Sequence, residues 1–128
     1  MSLRVLIAED EPSIVASLEF LLRKEGYDTR VAHDGEEALG LAESFRPDLV
    51  LLDLMLPRRS GLEVCRWLRA QPGLRHARVL MLTAKGGKQD VLNGFDAGAD
   101  DYLSKPFSTQ DLMGRVRRLA ATPPPEAP

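Results

Sequence analysis

Leu49-Val50-Leu51-Leu52-Asp53 is the most apolar run of the chain, and it stops on a carboxylate. Similar runs elsewhere also end in, or lead to, polar groups. Val5-Leu6-Ile7-Ala8 leads to Glu9 and Asp10, Val79-Leu80-Met81-Leu82 to Thr83, and Tyr102-Leu103-Ser104 to Lys105. Runs of four or five apolar residues separated by segments of helical period are the pattern of βαβ units around a parallel sheet. In such a sheet every strand ends at the same edge, so Glu9, Asp10, Asp53, Thr83 and Lys105 are predicted to meet where open α/β sheets bind ligands. Three carboxylates, a hydroxyl and an ammonium in one crevice point to a divalent cation and phosphoryl chemistry.

Working outward, the periodicity predicts strands near 4–8, 27–32, 48–53, 78–83 and 101–104. The first helix begins at Pro12, where a missing N–H is harmless, and is expected to bury Ile14, Leu18, Leu21 and Leu22 before Gly26 ends it in a left-handed conformation. Asp34 with Glu37, Ser60 with Glu63, and Ser108 with Asp111 each have the spacing of a capped helix start. The fourth helix, roughly 88–97, follows Gly86-Gly87 and contains Gly94, so it is expected to be the easiest to displace. Residues 1–121 read as one domain, and the proline-rich 122–128 as a tail or the start of a linker.

Composition narrows the class of protein. At 128 residues, 44% hydrophobic and 28% charged, the chain is an ordinary globular domain with enough length for a sizeable core. Its longest apolar run falls far short of the ~20 residues of a membrane span, and a strand begins where a signal peptide would lie. A cytoplasmic location without membrane contact is therefore expected. Cys65, the single cysteine, is expected as a buried apolar residue of the third helix.

The net charge of −2 hides a basic block: between Arg58 and Lys88 there are eight basic side chains and one acid. Such a block is read first as a solvated face, then as a docking surface for an acidic partner, and last as a nucleic-acid surface. It spans a loop, a helix and a strand without alternating aromatics, so direct nucleic-acid binding by this domain is not expected.

The acidic pair Glu9-Asp10, the stretch Asp53-Leu54-Met55-Leu56-Pro57 with Gly61 beyond it, Thr83-Ala84, and Asp101-Tyr102-Leu103-Ser104-Lys105-Pro106-Phe107 stand in an order and at intervals that cover residues 4–120. This set resembles the receiver domain of two-component response regulators, with the winged-helix transcription factor (OmpR/PhoB-like) subfamily as the nearest branch. The resemblance implies a flavodoxin-like three-layer sandwich, doubly wound on a five-stranded parallel sheet of order 2-1-3-4-5.

It further implies that Asp53 is a phosphoacceptor assisted by Lys105 and Thr83. Mg2+, with Mn2+ as a substitute, would be held by Asp10, Asp53 and the backbone carbonyl of Met55, with Glu9 acting through a coordinated water. Many receivers carry Asp where this chain has Glu9. Tyr102 is the aromatic implied to turn inward when Thr83 moves, and the Lys105–Pro106 bond is implied to be cis. The implied partners are a histidine kinase or a histidine phosphotransfer protein, and the domain is a signalling switch rather than a turnover enzyme.

A phosphorylation-dependent homodimer through the fourth helix, fifth strand and fifth helix is also implied. Leu92, Phe95 and Met113 are expected to form its apolar patch, ringed by Asp96, Asp100, Asp101, Arg115, Arg117 and Arg118. Val91 stands where that subfamily commonly has a basic residue, which leaves Asp111 without its usual partner there. What output the switch controls is not written in these residues, although transcription regulation fits the resemblance.

Two other chemistries on a doubly wound sheet fit less well. A haloacid dehalogenase-type phosphotransferase would carry a second Asp two residues after its nucleophile, where this chain has Met55. A flavin mononucleotide binder would need a hydroxyl- and glycine-rich loop after the first strand, where this chain has Ala8-Glu9-Asp10-Glu11-Pro12. A degenerate receiver that binds partners without phosphorylation is disfavoured because all five site residues are present.

Overall fold

The computed structural model describes residues 3–84 and 88–121, with backbone alone for 88–91. The expectations for Lys85, Gly86-Gly87, the side chains of Lys88 and Val91, and the tail 122–128 lie outside the described residues. Elements alternate along the chain as β1 (Arg4–Ala8), α1 (Pro12–Lys24), β2 (Asp28–Ala32), α2 (Gly35–Phe45), β3 (Leu49–Asp53), α3 (Gly61–Ala70), β4 (Arg78–Thr83), α4 (Lys88–Asp96), β5 (Asp101–Ser104) and α5 (Thr109–Ala121). All neighbouring strands are parallel and their order is β2-β1-β3-β4-β5. The fold is thus the expected doubly wound sandwich.

The central strands are continuous apolar runs because both of their faces are covered. Side chains alternate across the sheet. Leu6, Ala8, Val50, Leu52, Val79 and Met81 face α2 and α3 and pack with Ala38, Ala42, Val64, Cys65 and Leu68. Val5, Ile7, Leu49, Leu51, Leu80 and Leu82 face α1 and α5 and pack with Leu18, Leu22, Leu112, Met113, Val116 and Leu119. Truncating any of the central leucines to alanine would cost about 2–5 kcal/mol, because the close-packed neighbours close the cavity only in part.

Local chemistry sets the boundaries. Asp34 and Ser60 accept the N–H groups of Glu37 and Glu63 at 2.8 and 3.2 Å, and Ser108 accepts that of Asp111 at 3.0 Å. Gly26 closes α1 at φ 92°. β2 and β3 each begin one residue later than the runs suggest. Tyr27 still donates its N–H to Leu22 of the preceding helix, and Asp48 turns its carboxylate onto the N–H of Arg4. In α1 it is Val15, not Ile14 or Leu21, that joins Leu18 and Leu22 in full burial; Ile14 and Leu21 lie at the margin.

Cys65 is buried, and burial pushes its thiol up to about 11, which keeps it protonated and inert at neutral pH. Among the described residues no helix is long and apolar enough to cross a membrane.

Candidate functional site

The parallel register delivers the predicted residues to one edge. Ala8 pairs with Leu52, and Asp53 pairs with Leu82, which places Asp53 between the end of β1 and Thr83 at the end of β4. Thr83 pairs with Ser104, and the N–H of Lys105 bonds the Thr83 carbonyl at 2.6 Å, bringing the lysine alongside. The Lys105–Pro106 peptide bond is cis.

Carboxylate oxygens of Glu9, Asp10 and Asp53 lie within 4.8 Å of one another. Glu9, Asp53 and Thr83 are buried, whereas Asp10 is exposed. Glu9 turns one oxygen, Oε2, onto the N–H groups of Asp10 and Glu11, both at 3.1 Å, and the other, Oε1, onto Lys105 Nζ at 2.6 Å. Asp53 Oδ2 lies 3.3 Å from the same ammonium, and Asp53 Oδ1 accepts the N–H of Met55 at 3.1 Å. Lys105 therefore sits nearer to Glu9 than to Asp53 and serves both.

The electrostatics follow from this arrangement. Burial raises the Glu9 carboxyl above its ordinary range; the Lys105 ammonium and the Glu11 N–H pull it down without cancelling that effect, and the Asp53 charge adds to it. For Lys105, burial works against the charged form, but the hydrogen bond to Glu9 and the charges of Asp53 and Glu9 outweigh burial and hold it above the ordinary lysine value. Three carboxylates against one ammonium leave a surplus of two negative charges at full ionisation. An all-oxygen donor set with that surplus fits a hard divalent cation such as Mg2+, which binds through one or two carboxylates and otherwise keeps its waters. Glu9, Asp10 and Asp53 are the residues that could hold it.

Two further contacts shape the edge. A Cβ on Gly61 would lie 2.4 Å from the Asp53 carbonyl oxygen and 2.9 Å from Leu54 Cα, so the start of α3 packs against the backbone of the acidic strand end. Gly61 stands in the motif, but only the fold shows that this contact is what requires it. Tyr102 is buried, and its ring lies so close to α4 that a Cβ on Gly94 would be 3.1 Å from Cε2. Beside the carboxylates, α1 and the start of α5 border a groove of about 580 Å3 lined by Ile14, Leu18, Leu21, Lys105, Pro106 and Phe107 among others.

The expected dimer patch needs correction. Leu92 and Phe95 are exposed, but Met113 is 4% exposed and belongs to the core under α5. Asp100 turns inward to Arg69 at 2.8 Å and to the N–H of Val79 at 2.8 Å. Asp101, 8% exposed, is held by Arg115 at 2.7 Å and by Arg118, while Arg117 pairs with Glu25. The basic block is likewise partly neutralised within the chain: Arg58 pairs with Asp34, Arg59 with Glu36 and Glu63, and Arg78 with Asp100.

Known proteins place this geometry. The chain is 50% identical over 117 residues to the DNA-binding response regulator MtrA of Mycolicibacterium smegmatis, an alignment that takes in 91% of this chain and 50% of the relative. It spans about half the length of the curated relatives it matches. A putative response regulator from Chloroflexus aurantiacus superposes with a TM-score of 0.90 at 38% identity, covering 95% of this chain and all of the other. The receiver domain of the sensor histidine kinase PA1611 from Pseudomonas aeruginosa, solved with a magnesium ion in its active-site cleft, superposes at 0.87 with 34% identity over 95% and 100% of the two chains. Residues 5–117 match the response regulator receiver domain family, and to that family this chain belongs.

Proposed function

We propose that Asp53 accepts a phosphoryl group from a phosphohistidine on a histidine kinase or histidine phosphotransfer protein, and that the domain then changes its binding partners. The observation that supports this most is the convergence of the Glu9, Asp10 and Asp53 carboxylates at the strand edge, with the Lys105 ammonium on Glu9 and Asp53. In the transfer a carboxylate oxygen of Asp53 forms a bond to phosphorus as the phosphorus–nitrogen bond breaks, and the electron pair leaves with the imidazole. A Mg2+ or Mn2+ held by Asp10, Asp53 and the Met55 carbonyl would offset the repulsion between the carboxylates and the incoming anion.

The chain's own groups do the rest. The Met55 N–H fixes the rotamer of Asp53. Lys105 pairs with Asp53 before transfer and with a phosphoryl oxygen afterwards, while Glu9 keeps the ammonium over the site. The Thr83 hydroxyl donates to another phosphoryl oxygen, and its movement reaches Tyr102 and α4. With no substrate beyond its own carboxylate, the domain acts as a switch rather than a turnover enzyme. The relatives named as DNA-binding regulators make transcription control the proposed output.

Incubation with acetyl phosphate and Mg2+ followed by peptide mapping tests the assignment. Label is expected on Asp53 alone and is expected to vanish with EDTA; full labelling of Asp53→Asn protein would falsify it. Thr83→Ala is expected to be labelled yet to lose the accompanying spectral changes in α4 and β5.

A further inference from the structure

Arg69 belongs to the basic block that reads as a solvated face, but in the fold its guanidinium turns inward. Nε and Nη2 donate to the Gly98 carbonyl at 2.9 and 2.7 Å, Nη2 also to Asp100 Oδ2 at 2.8 Å, and Nη1 to the carbonyls of Arg75 and Ala77 at 2.8 and 2.5 Å. Those contacts employ all five N–H donors that a guanidinium possesses. The recipients come from two places: the loop between α3 and β4, and the turn between α4 and β5.

The turn is built to receive the arginine. Gly98 has φ 107°, and a Cβ there would lie 2.7 Å from Arg69 Cγ and 2.9 Å from Nε. The N–H of Ala99 bonds the Gly94 carbonyl and that of Gly98 the Phe95 carbonyl, both at 3.0 Å, closing the end of α4 on a left-handed glycine. Asp100 also accepts the N–H of Val79 at 2.8 Å and forms a longer ion pair with Arg78 at 3.7 Å. Farther up α4, Leu92 and Phe95 are exposed and Gly94 is buried against the Tyr102 ring. Among the described residues of α4 the large apolar side chains of Leu92 and Phe95 are exposed, while the turn that ends the helix is bonded to the body through a half-buried, fully engaged guanidinium.

We propose that the Arg69 clasp is the fixed pivot of α4. The inference rests on the switch reading given above: when the state of Asp53 changes, α4 reorients about Gly98 while Gly98–Asp100 and the loop 71–77 stay together as one body. Arg69 is then a positioning residue for the output, since it touches none of the reacting atoms. It converts movement at Thr83 and Tyr102 into a swing of α4 rather than a drift of the whole helix and its turn.

Backbone amide NMR of the whole chain with Mg2+, before and after beryllofluoride, tests this. In wild type the amides of Leu92, Asn93 and Phe95 are expected to shift more than those of Gly98, Ala99 and Asp100. In Arg69→Met, and to a lesser extent in Arg69→Lys, which keeps the charge but lacks the fork, the Gly98–Asp100 amides are expected to shift along with the helix. Labelling of Asp53 by acetyl phosphate is expected to match wild type in both variants. A merely structural arginine would lower stability but leave the distribution of induced shifts unchanged, so an unchanged distribution overturns the pivot, as do large Gly98–Asp100 shifts in wild type. Should Arg69→Met not fold, Arg69→Lys decides alone. Absence of any beryllofluoride response in wild type would overturn the Asp53 reading and the pivot with it, whereas a normal response with no effect of either variant overturns the pivot only.

Discussion

Replacing Asp53 by asparagine should make the metal-free protein more stable. The amide can keep the bond from the Met55 N–H, because Asp53 Oδ1 alone accepts it, so packing is preserved and only charge is removed. Asp53 faces Glu9 and Asp10 at up to 4.8 Å and Lys105 at 3.3 Å. At an effective dielectric of about 20, each repulsion is worth about 3.5 kcal/mol and the attraction about 5 kcal/mol, leaving about 2 kcal/mol of net repulsion to be relieved. In the limit of bulk water the same arithmetic leaves about 0.5 kcal/mol, and the exposure of Asp10 moves the result toward that end. A gain of about 0.5–2 kcal/mol is therefore expected in urea denaturation with EDTA, equivalent to a rise of about 2–8 °C in Tm. Adding Mg2+ should erase or reverse the difference, since a cation that binds only the folded state adds ~2.7 kcal/mol to wild type at a hundredfold excess over Kd, and Asp53→Asn should gain much less. A variant less stable than wild type in EDTA, or equally stabilised by Mg2+, would refute the electrostatic reasoning.

Three other outcomes follow from the geometry. Because burial holds Glu9 above its ordinary range, its contribution to stability is full below that range and is lost as pH rises through the folded value; the urea midpoint of wild type should therefore fall relative to Glu9→Gln from about pH 4 upward, and parallel curves would remove the argument. Gly61→Ala should destabilise by ~1–3 kcal/mol and slow acetyl phosphate labelling of Asp53, because the new methyl meets backbone rather than a side chain that can yield; wild-type stability by denaturation would show that the strand end moves freely. Beryllofluoride should promote dimerisation in sedimentation, centred on the exposed Leu92 and Phe95 and weakened by Phe95→Asp, with an unchanged monomer at high concentration as the contrary result.

The sheet and most of the site are legible because they are encoded locally. A strand buried on both faces must be apolar along its whole length, so its end shows as the first polar residue, and parallel topology carries every such end to one edge. Asp53, Thr83 and Lys105 could be placed that way before any distance was known. Met113 could not. It adjoins Leu112 on a helix whose inward stripe already runs through Leu112, Val116 and Leu119, and packing against a sheet widened that stripe by one position.

Asp100 and Asp101 were also ambiguous, since neighbours at a strand start turn to opposite sides: one reached Arg69 and the other Arg115, partners distant in sequence whose direction no local period records. The clasp was less legible still. Four of the five bonds made by Arg69 end on main-chain carbonyls, which every residue carries and no sequence letter distinguishes. What the sequence does retain is Gly98, whose missing side chain makes room for the arginine stem. A charge in a basic block should thus be weighed against the glycines it would meet across the fold before it is assigned to solvent or to a partner.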